Sequence, residues 1–393
     1  MRYRYSTEGN GKLVKKALVY TQNEHKINFS DVDPQAVFII RQLQSRGFES
    51  YIVGGAVRDL ILGKKPKDFD IASSASPAQI RKIFRNSRII GRRFRLVHVF
   101  FGPKIIEVST FRSLIDGSSS NTFGSIEDDV QRRDFTINAL FYDPLEQVVV
   151  DYIDGMKDIK KGIIKPIIPL NLIFSDDPVR MIRAVKYASM CNFKLPHPIK
   201  AKIKKENHLL SSISPSRLTE EIFKIIHSPH AAKIINDLDS CGVYRYLQPK
   251  AEELFRLMPG FKNRYINTFE DLFKSSTEVS PAEAVLALIK DYVEDNAPWK
   301  NFSSPPEQFR NAFSLARSFV LPMNPPKIRL YGAIRNLFGQ HGIEVKRFRF
   351  NNNGRQQKTQ DDVKDNASPN EGPQNIQRKR RRRRNKNKKP GKE

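Results

Sequence analysis

In the first half of the chain the apolar positions come in short runs. Tyr51-Ile52-Val53, Asp68 to Ala72, Phe94 to Phe101 and Lys104 to Thr110 have strand length and are separated by turn or helical segments. Val37, Phe38, Ile40 and Leu43 follow Asp33-Pro34 at helical spacing, which predicts a capped amphipathic helix ending at Gly47. The folded part is expected to begin there, and residues 1–32, polar, basic and weakly patterned, read as an N-terminal extension. Ser113 to Asp128 has no apolar period and predicts a mobile loop. Beyond about residue 170 the strand pattern stops. Ser175-Asp176-Asp177-Pro178 ahead of Met181, Val185 and Ala188 marks a helix start, and the rest of the folded chain is expected to be helical. After Phe350 almost no apolar residue remains, so the segment buries too little to offset its ordering entropy and is expected to be disordered. The fold class is therefore α+β, with an α/β unit at residues 33–165, helical units at 166–262 and 263–350, and a basic tail at 351–393.

Composition sharpens this picture. With 39% hydrophobic residues, the 393-residue chain can build a core in spite of its charge. The formal net charge is +26, and both the tail and the folded part carry a share of it, which favours a polyanionic partner. Cys191 and Cys241 stand alone, without C-x-x-C spacing or a histidine cluster, which argues against structural zinc and a disulfide framework and fits a reducing compartment. No apolar run is long enough to span a membrane, and Met1-Arg2-Tyr3-Arg4-Tyr5 leads into no signal-like apolar stretch. A cytoplasmic protein without membrane attachment is expected.

The candidate chemistry begins at Gly54-Gly55-Ala56-Val57-Arg58-Asp59. A glycine pair after a strand and opening a helix lets backbone N–H groups approach a phosphate, with Arg58 one turn further on; alone, such a pair is equally an ordinary tight turn. Asp68 and Asp70 follow, and if both lie on a strand their carboxylates share a face while Phe69 points inward. Two like charges held that close favour a cation between them, and magnesium suits hard carboxylate oxygens and bridges to triphosphate. Glu107, acidic within an apolar strand, is a candidate third carboxylate for a two-metal site or else the partner of a nearby arginine. Arg133 suits phosphate, and Asp134 either accepts from a ribose hydroxyl or caps a helix. Asp177 and Arg180, three apart at a helix start, present acceptor and donor together, or form a cap with a local ion pair. His98 reads as a core histidine with no chemistry.

Four ordered motifs, Gly54 to Asp59, Asp68 to Ile71, Arg132 to Ala139 and Asp177 to Ala184, resemble those of class II tRNA nucleotidyltransferases and bacterial poly(A) polymerases. The resemblance covers about residues 35–230. It implies a nucleotidyltransferase head with a small mixed β-sheet, followed by all-helical neck, body and tail domains. It further implies that Asp68, Asp70 and Glu107 are catalytic, with Asp68 and Asp70 holding Mg2+, two ions in all. Gly54, Gly55 and Arg58 would meet the triphosphate of ATP; Arg133, Asp134 and Asn138 would contact ribose and phosphates; Asp177 and Arg180 would read the base. The family usually has Glu where Asp176 stands, a shorter arm with the same charge. Ser214 to Glu221 resembles a neck motif, or is a capped packing helix.

Ile89 to Val99 resembles the segment by which bacterial poly(A) polymerases differ from CCA-adding relatives. Arg378, Lys379, Arg380, Arg381, Arg382, Arg383 and Arg384, with Lys386, Lys388 and Lys389 beyond them, form a basic arm suited to phosphate contacts on RNA of any sequence. The expected activity is template-independent addition of AMP to RNA 3′ ends, tied to RNA decay and RNA-decay proteins. A CCA-adding enzyme is the alternative, and a non-catalytic RNA-binding protein a further one that the intact Asp-x-Asp weighs against.

Overall fold

The computed structural model describes residues 2–7, 13–91, 96–113, 123–275, 278–299 and 304–345. The basic arm at 378–384 and the centre of the predicted mobile loop lie outside them. The described residues are built on a nine-stranded mixed sheet: β1 (Arg2–Thr7), β2 (Leu13–Tyr20), β3 (Ser50–Val53), β4 (Asp70–Ser73), β5 (Ser87–Ile90), β6 (Leu96–Phe101), β7 (Lys104–Thr110), β8 (Leu140–Asp143) and β9 (Val148–Asp151). Their order is β1-β2-β9-β8-β3-β4-β7-β6-β5, and every neighbouring pair is antiparallel except β4 and β7.

Strand alternation separates the two faces. Ile52, Ile71, Ile106, Val108, Leu140, Tyr142 and Val149 belong to the large core beneath α2 (Pro34–Gln44), α3 (Gly55–Ile61) and α4 (Pro77–Ile83), which follow the short α1 (Gln22–His25). Tyr51, Val53, Ala72, Phe141 and Val150 point to the other face, where α5 (Ile126–Gln131) contributes Ile126 and Val130. α2 starts as predicted: Asp33 accepts from the N–H groups of Gln35 and Ala36 at 2.8 and 3.3 Å, and proline occupies the first turn. Gly47 then leaves the helix at φ +82°.

The sheet begins well ahead of α2, which corrects the reading of residues 1–32 as an extension outside the folded part. β2 pairs with β9, and β1 pairs with β2. On β1 the Arg-Tyr alternation conceals an inward residue, because Arg4 donates to Tyr51 Oη at 3.1 Å and Tyr152 Oη at 3.3 Å and pairs with Glu49. The loop expected to end at Asp128 ends earlier, because Ser125 and Asp128 form a reciprocal cap that starts α5.

α6 (Gly155–Lys161) closes the head. After β9 the described chain is helical, as the sequence predicts: α7 (Ile173–Asp176), α8 (Val179–Cys191), α9 (His197–Glu206), α10 (Pro215–Ile226), α11 (Ala231–Ser240) and six more, α12 to α17, between Tyr244 and Gln340. Their apolar faces join the same core as the sheet. No described helix is long and apolar enough to cross a membrane.

Candidate active site

Asp70 opens β4 opposite Val53. Asp68 lies two residues ahead of the strand, not within it as expected. The cause is local: after Val53, Gly54 takes φ +72° and turns the partner chain into α3, so nothing is left for Asp68 to pair with. Asp68, Phe69 and Asp70 nevertheless run exposed, buried, exposed, which keeps the two carboxylates on one side. In the parallel register Ile71 pairs with Val108, so the preceding residues, Asp70 and Glu107, stand side by side. Both lie on the face carrying Val53 and Ala72.

Glu107 is about half exposed, and its Oε1 lies 3.2 Å from His98 Nε2, directly across the β6–β7 ladder. Its partner is thus a histidine instead of the arginine weighed from sequence. His98 is likewise not a core residue, because on β6 the inward positions are Val97 and Val99. Asp70 keeps an exposed surface, yet the protein crowded around it, and then the neighbouring charges of Glu107 and Asp68, push its carboxyl up to about 6, while Arg133 and Lys224 pull the other way. Among the described residues no group of three or more His, Cys, Asp or Glu side chains is placed to hold a metal ion. An open pair of hard oxygens, crowded enough to favour a cation, fits magnesium, which keeps several waters and takes further oxygens from phosphate.

The glycine pair adjoins this site. A Cβ on Gly54 would stand 3.9 Å from Arg133 Nη1, and one on Gly55 would stand 3.5 Å from Arg58 Nη2. Arg58 does not reach into solvent: it is buried, donates twice to Asp59 Oδ1 at 2.7 and 2.9 Å and once to Asn138 Oδ1 at 2.8 Å, and lies over the Tyr187 ring. Asn138 donates to Asp134 Oδ1 at 3.3 Å, and Asp134 lies 3.9 Å from Arg183 on α8. Arg133 is held by Asp129 at 2.8 Å, donates to the Asn138 carbonyl at 3.1 Å and lies over Phe141. Arg58, Asp134 and Asn138 thus form one network behind the glycine turn, with Arg133 beside it.

The Arg180 N–H donates to the Asp177 carbonyl at 3.0 Å, but the two side chains take other partners. Asp177 lies just ahead of α8, where its side chain accepts from Val179 N–H at 3.1 Å, and both its oxygens accept from Arg217 Nη2, at 2.9 and 3.1 Å. Arg180 is buried, paired with Asp176, and donates to the Ile173 carbonyl at 3.3 Å. Asp176, left without a role by the sequence, therefore holds Arg180.

Arg217 was not singled out from sequence, nor was the hub at Glu221. Glu221 on α10 accepts from Lys186 Nζ at 2.7 Å, Arg183 Nε at 3.1 Å and Lys224 Nζ at 3.3 Å. Burial pushes this carboxyl up, but Lys186, Arg183 and Lys224 outweigh it and hold it down at about 2. The available signal is helical spacing running from the Ser214 to Glu221 motif into the next turn, which aligns Arg217, Glu221 and Lys224 along one face. Lys67 donates to the His227 carbonyl at 3.1 Å and so ties the Asp68 loop to the end of α10.

Comparison with known proteins agrees with this arrangement. Residues 50–165 match the family described as poly A polymerase head domain, and residues 192–255 match the probable RNA and SrmB-binding site of polymerase A. Poly(A) polymerase I of Salmonella typhi is 41% identical over 253 residues, 60% of this chain and 54% of the relative. The chain thus spans about half the length of that relative. A CCA-adding enzyme of Lactobacillus helveticus is 32% identical over 292 residues, covering 71% of this chain and 70% of the relative. The crystal structure of the Bacillus stearothermophilus CCA-adding enzyme in complex with CTP superposes with a TM-score of 0.54 at 29% identity, covering 79% and 83% of the two chains.

Proposed function

The chain belongs to the family that unites poly(A) polymerases with CCA-adding tRNA nucleotidyltransferases, and from that premise we propose that it adds AMP from ATP to RNA 3′ ends. The RNA 3′ oxygen attacks the α-phosphorus, the bond to the β-phosphate oxygen breaks, and pyrophosphate leaves. The observation that carries this reading is the group of Asp68, Asp70 and Glu107 on one open face, with Arg133 and Lys224 close enough to act on Asp70. Magnesium bound by Asp68 and Asp70 would neutralise phosphate charge and favour the ionised 3′ oxygen. Glu107 stands beside Asp70 as the third carboxylate.

Gly54 and Gly55 leave the backbone open to the triphosphate, Arg133 offers a cation beside them, and Arg58 braces the turn from behind. Asp134 and Asn138 orient this cluster and face the ribose. Asp177 and Arg180 read the base from neck helix α8. With Arg217 on one and Asp176 on the other, neither side chain swings freely, so a base that mismatches them leaves a buried group unpaired at a cost of about 1–3 kcal/mol. Addition of A alone is favoured over CCA by the Ile89 to Val99 segment and by the higher identity to poly(A) polymerase I. Cytoplasmic RNA decay is the setting such tailing serves.

The test offers ATP and CTP, singly and together, to a generic unstructured RNA and to a tRNA lacking its last three nucleotides. Long runs of A on the generic RNA from ATP alone, with poor use of CTP, are expected. Addition of C, C and A to the tRNA, stopping there with little extension of the generic RNA, would instead establish the CCA-adding activity.

Arg378, Lys379, Arg380, Arg381, Arg382, Arg383 and Arg384 serve RNA affinity in this reading. Removing residues 351–393 is expected to weaken RNA binding and to lower the slope of log K against log salt by roughly 0.7 per lost phosphate contact, with kcat at saturating RNA preserved. An unchanged slope in a salt titration would show that the arm makes no contact with RNA.

A further inference from the structure

The β1–β2 hairpin precedes the residues matched to the head domain, and we propose that its outer face is a stacking platform for single-stranded RNA. Tyr3 and Tyr5, two apart on β1, share a face and are 41% and 54% exposed, with ring centroids 6.2 Å apart. Lys15 of β2 places its Nζ 3.8 Å from the Tyr3 ring centroid, and the exposed Lys160 of α6 lies 5.8 Å from the ring of Tyr20, a buried residue further along β2. Lys16, exposed, sits where the register slips between the two strands.

The platform has a fixed base. Arg4 points the opposite way, into its bonds with Tyr51, Tyr152 and Glu49, so the strand that carries the tyrosines is anchored to β3 and to the end of β9. Exposed aromatic faces bordered by lysines match the two chemistries of a single strand, π-faced bases and phosphates, and favour no sequence. A purely apolar partner would leave these lysines without counter-charges.

The proposal rests on the reading that the chain acts on RNA ends, with β1 at the sheet edge, remote from β4 and β7. It therefore assigns the hairpin to RNA upstream of the reacting 3′ end.

The experiment uses the full chain and a fluorescent oligoadenylate. Tyr3→Ala/Tyr5→Ala is expected to raise Kd about tenfold or more without changing the salt slope, because stacking is lost and no phosphate contact is. Tyr3→Phe/Tyr5→Phe keeps Kd within about twofold, and Lys15→Ala lowers the slope by about 0.7. Binding of heparin, which has no bases, is unchanged in the alanine pair. The platform is refuted if the alanine pair binds RNA like the parent, if the phenylalanine pair is as weak as the alanine pair, or if heparin binding falls equally. It is also refuted if the alanine pair changes the sedimentation of the protein and not its RNA affinity, which would mark a protein contact. Crosslinking of 4-thiouridine RNA to the parent avoids any folding defect: adducts on the Arg2–Lys15 segment are expected, and their absence refutes the platform. A parent that crosslinks there yet releases no pyrophosphate with ATP refutes the polymerase reading and leaves the platform standing.

Discussion

Asp70→Ala is expected to lower kcat for nucleotide addition by about a thousandfold or more, because on the proposed reading it removes a metal ligand, worth several kcal/mol of transition-state stabilisation. Its position is fixed by two ladders, with Val53 opposite it and Ile71 locked to Val108. Affinity for RNA in low salt is expected to stay nearly unchanged, since a carboxylate makes no attractive contact with RNA phosphates. Folding stability should hold or rise. Enclosure by the protein, and then the charges of Glu107 and Asp68, push the Asp70 carboxyl up, and removing it relieves both costs. Pyrophosphate release at saturating RNA and a thermal melt check both halves. Retention of more than about a tenth of kcat, a loss below about 1.4 kcal/mol, would show that Asp70 holds no catalytic ion.

The second large effect is on stability. Glu221→Gln removes the only charge that Lys186, itself buried, contacts among its described hydrogen bonds, and breaking a buried pair in this way costs about 3–5 kcal/mol. The two partners respond oppositely. Glu221 is held down by three cations, whereas burial pushes Lys186 down as well, which opposes its charge. The pair is therefore costly to break without being a large net gain, and Glu221→Leu/Lys186→Met is expected to recover much of the loss. The pH dependence follows from the lowered carboxyl. Its contribution is full above the ordinary value of 4.5 and is lost as pH falls toward about 2. Denaturant melts of parent and Glu221→Gln should converge over that interval. A constant gap between them down to pH 2 would show that the carboxylate charge is not what stabilises the helix pair.

Much of the head was legible because its signals are local. The glycine pair, the alternation through Asp68, Phe69 and Asp70, and the Asp33 cap depend on neighbours in sequence. Contacts that escape the sequence reading involve distant partners. Arg58 is held by Asn138, 80 residues away, as well as by its neighbour Asp59, and Asp177 by Arg217, 40 residues away. β1 was missed for a related reason: Arg4 is polar in the sequence, but its inward contacts are supplied by Glu49, Tyr51 and Tyr152. β8 was passed over because Leu140, Phe141, Tyr142 and Asp143 are all buried, and a strand covered on both faces has no alternation to show.

The sheet order also governs how the protein can be made. β2 lies between β1 and β9, so on a ribosome the first hairpin emerges long before Val148–Asp151 exist to receive it. At about 5–20 residues per second that interval is of the order of ten seconds, during which β2 offers an unpaired edge to any other nascent chain. Lys15 and Lys16 lie on that waiting strand, with Arg2 on its partner, and like charges on two such edges oppose their pairing. Replacing these cations with apolar residues would leave the finished sheet intact yet lower the yield of soluble protein during synthesis.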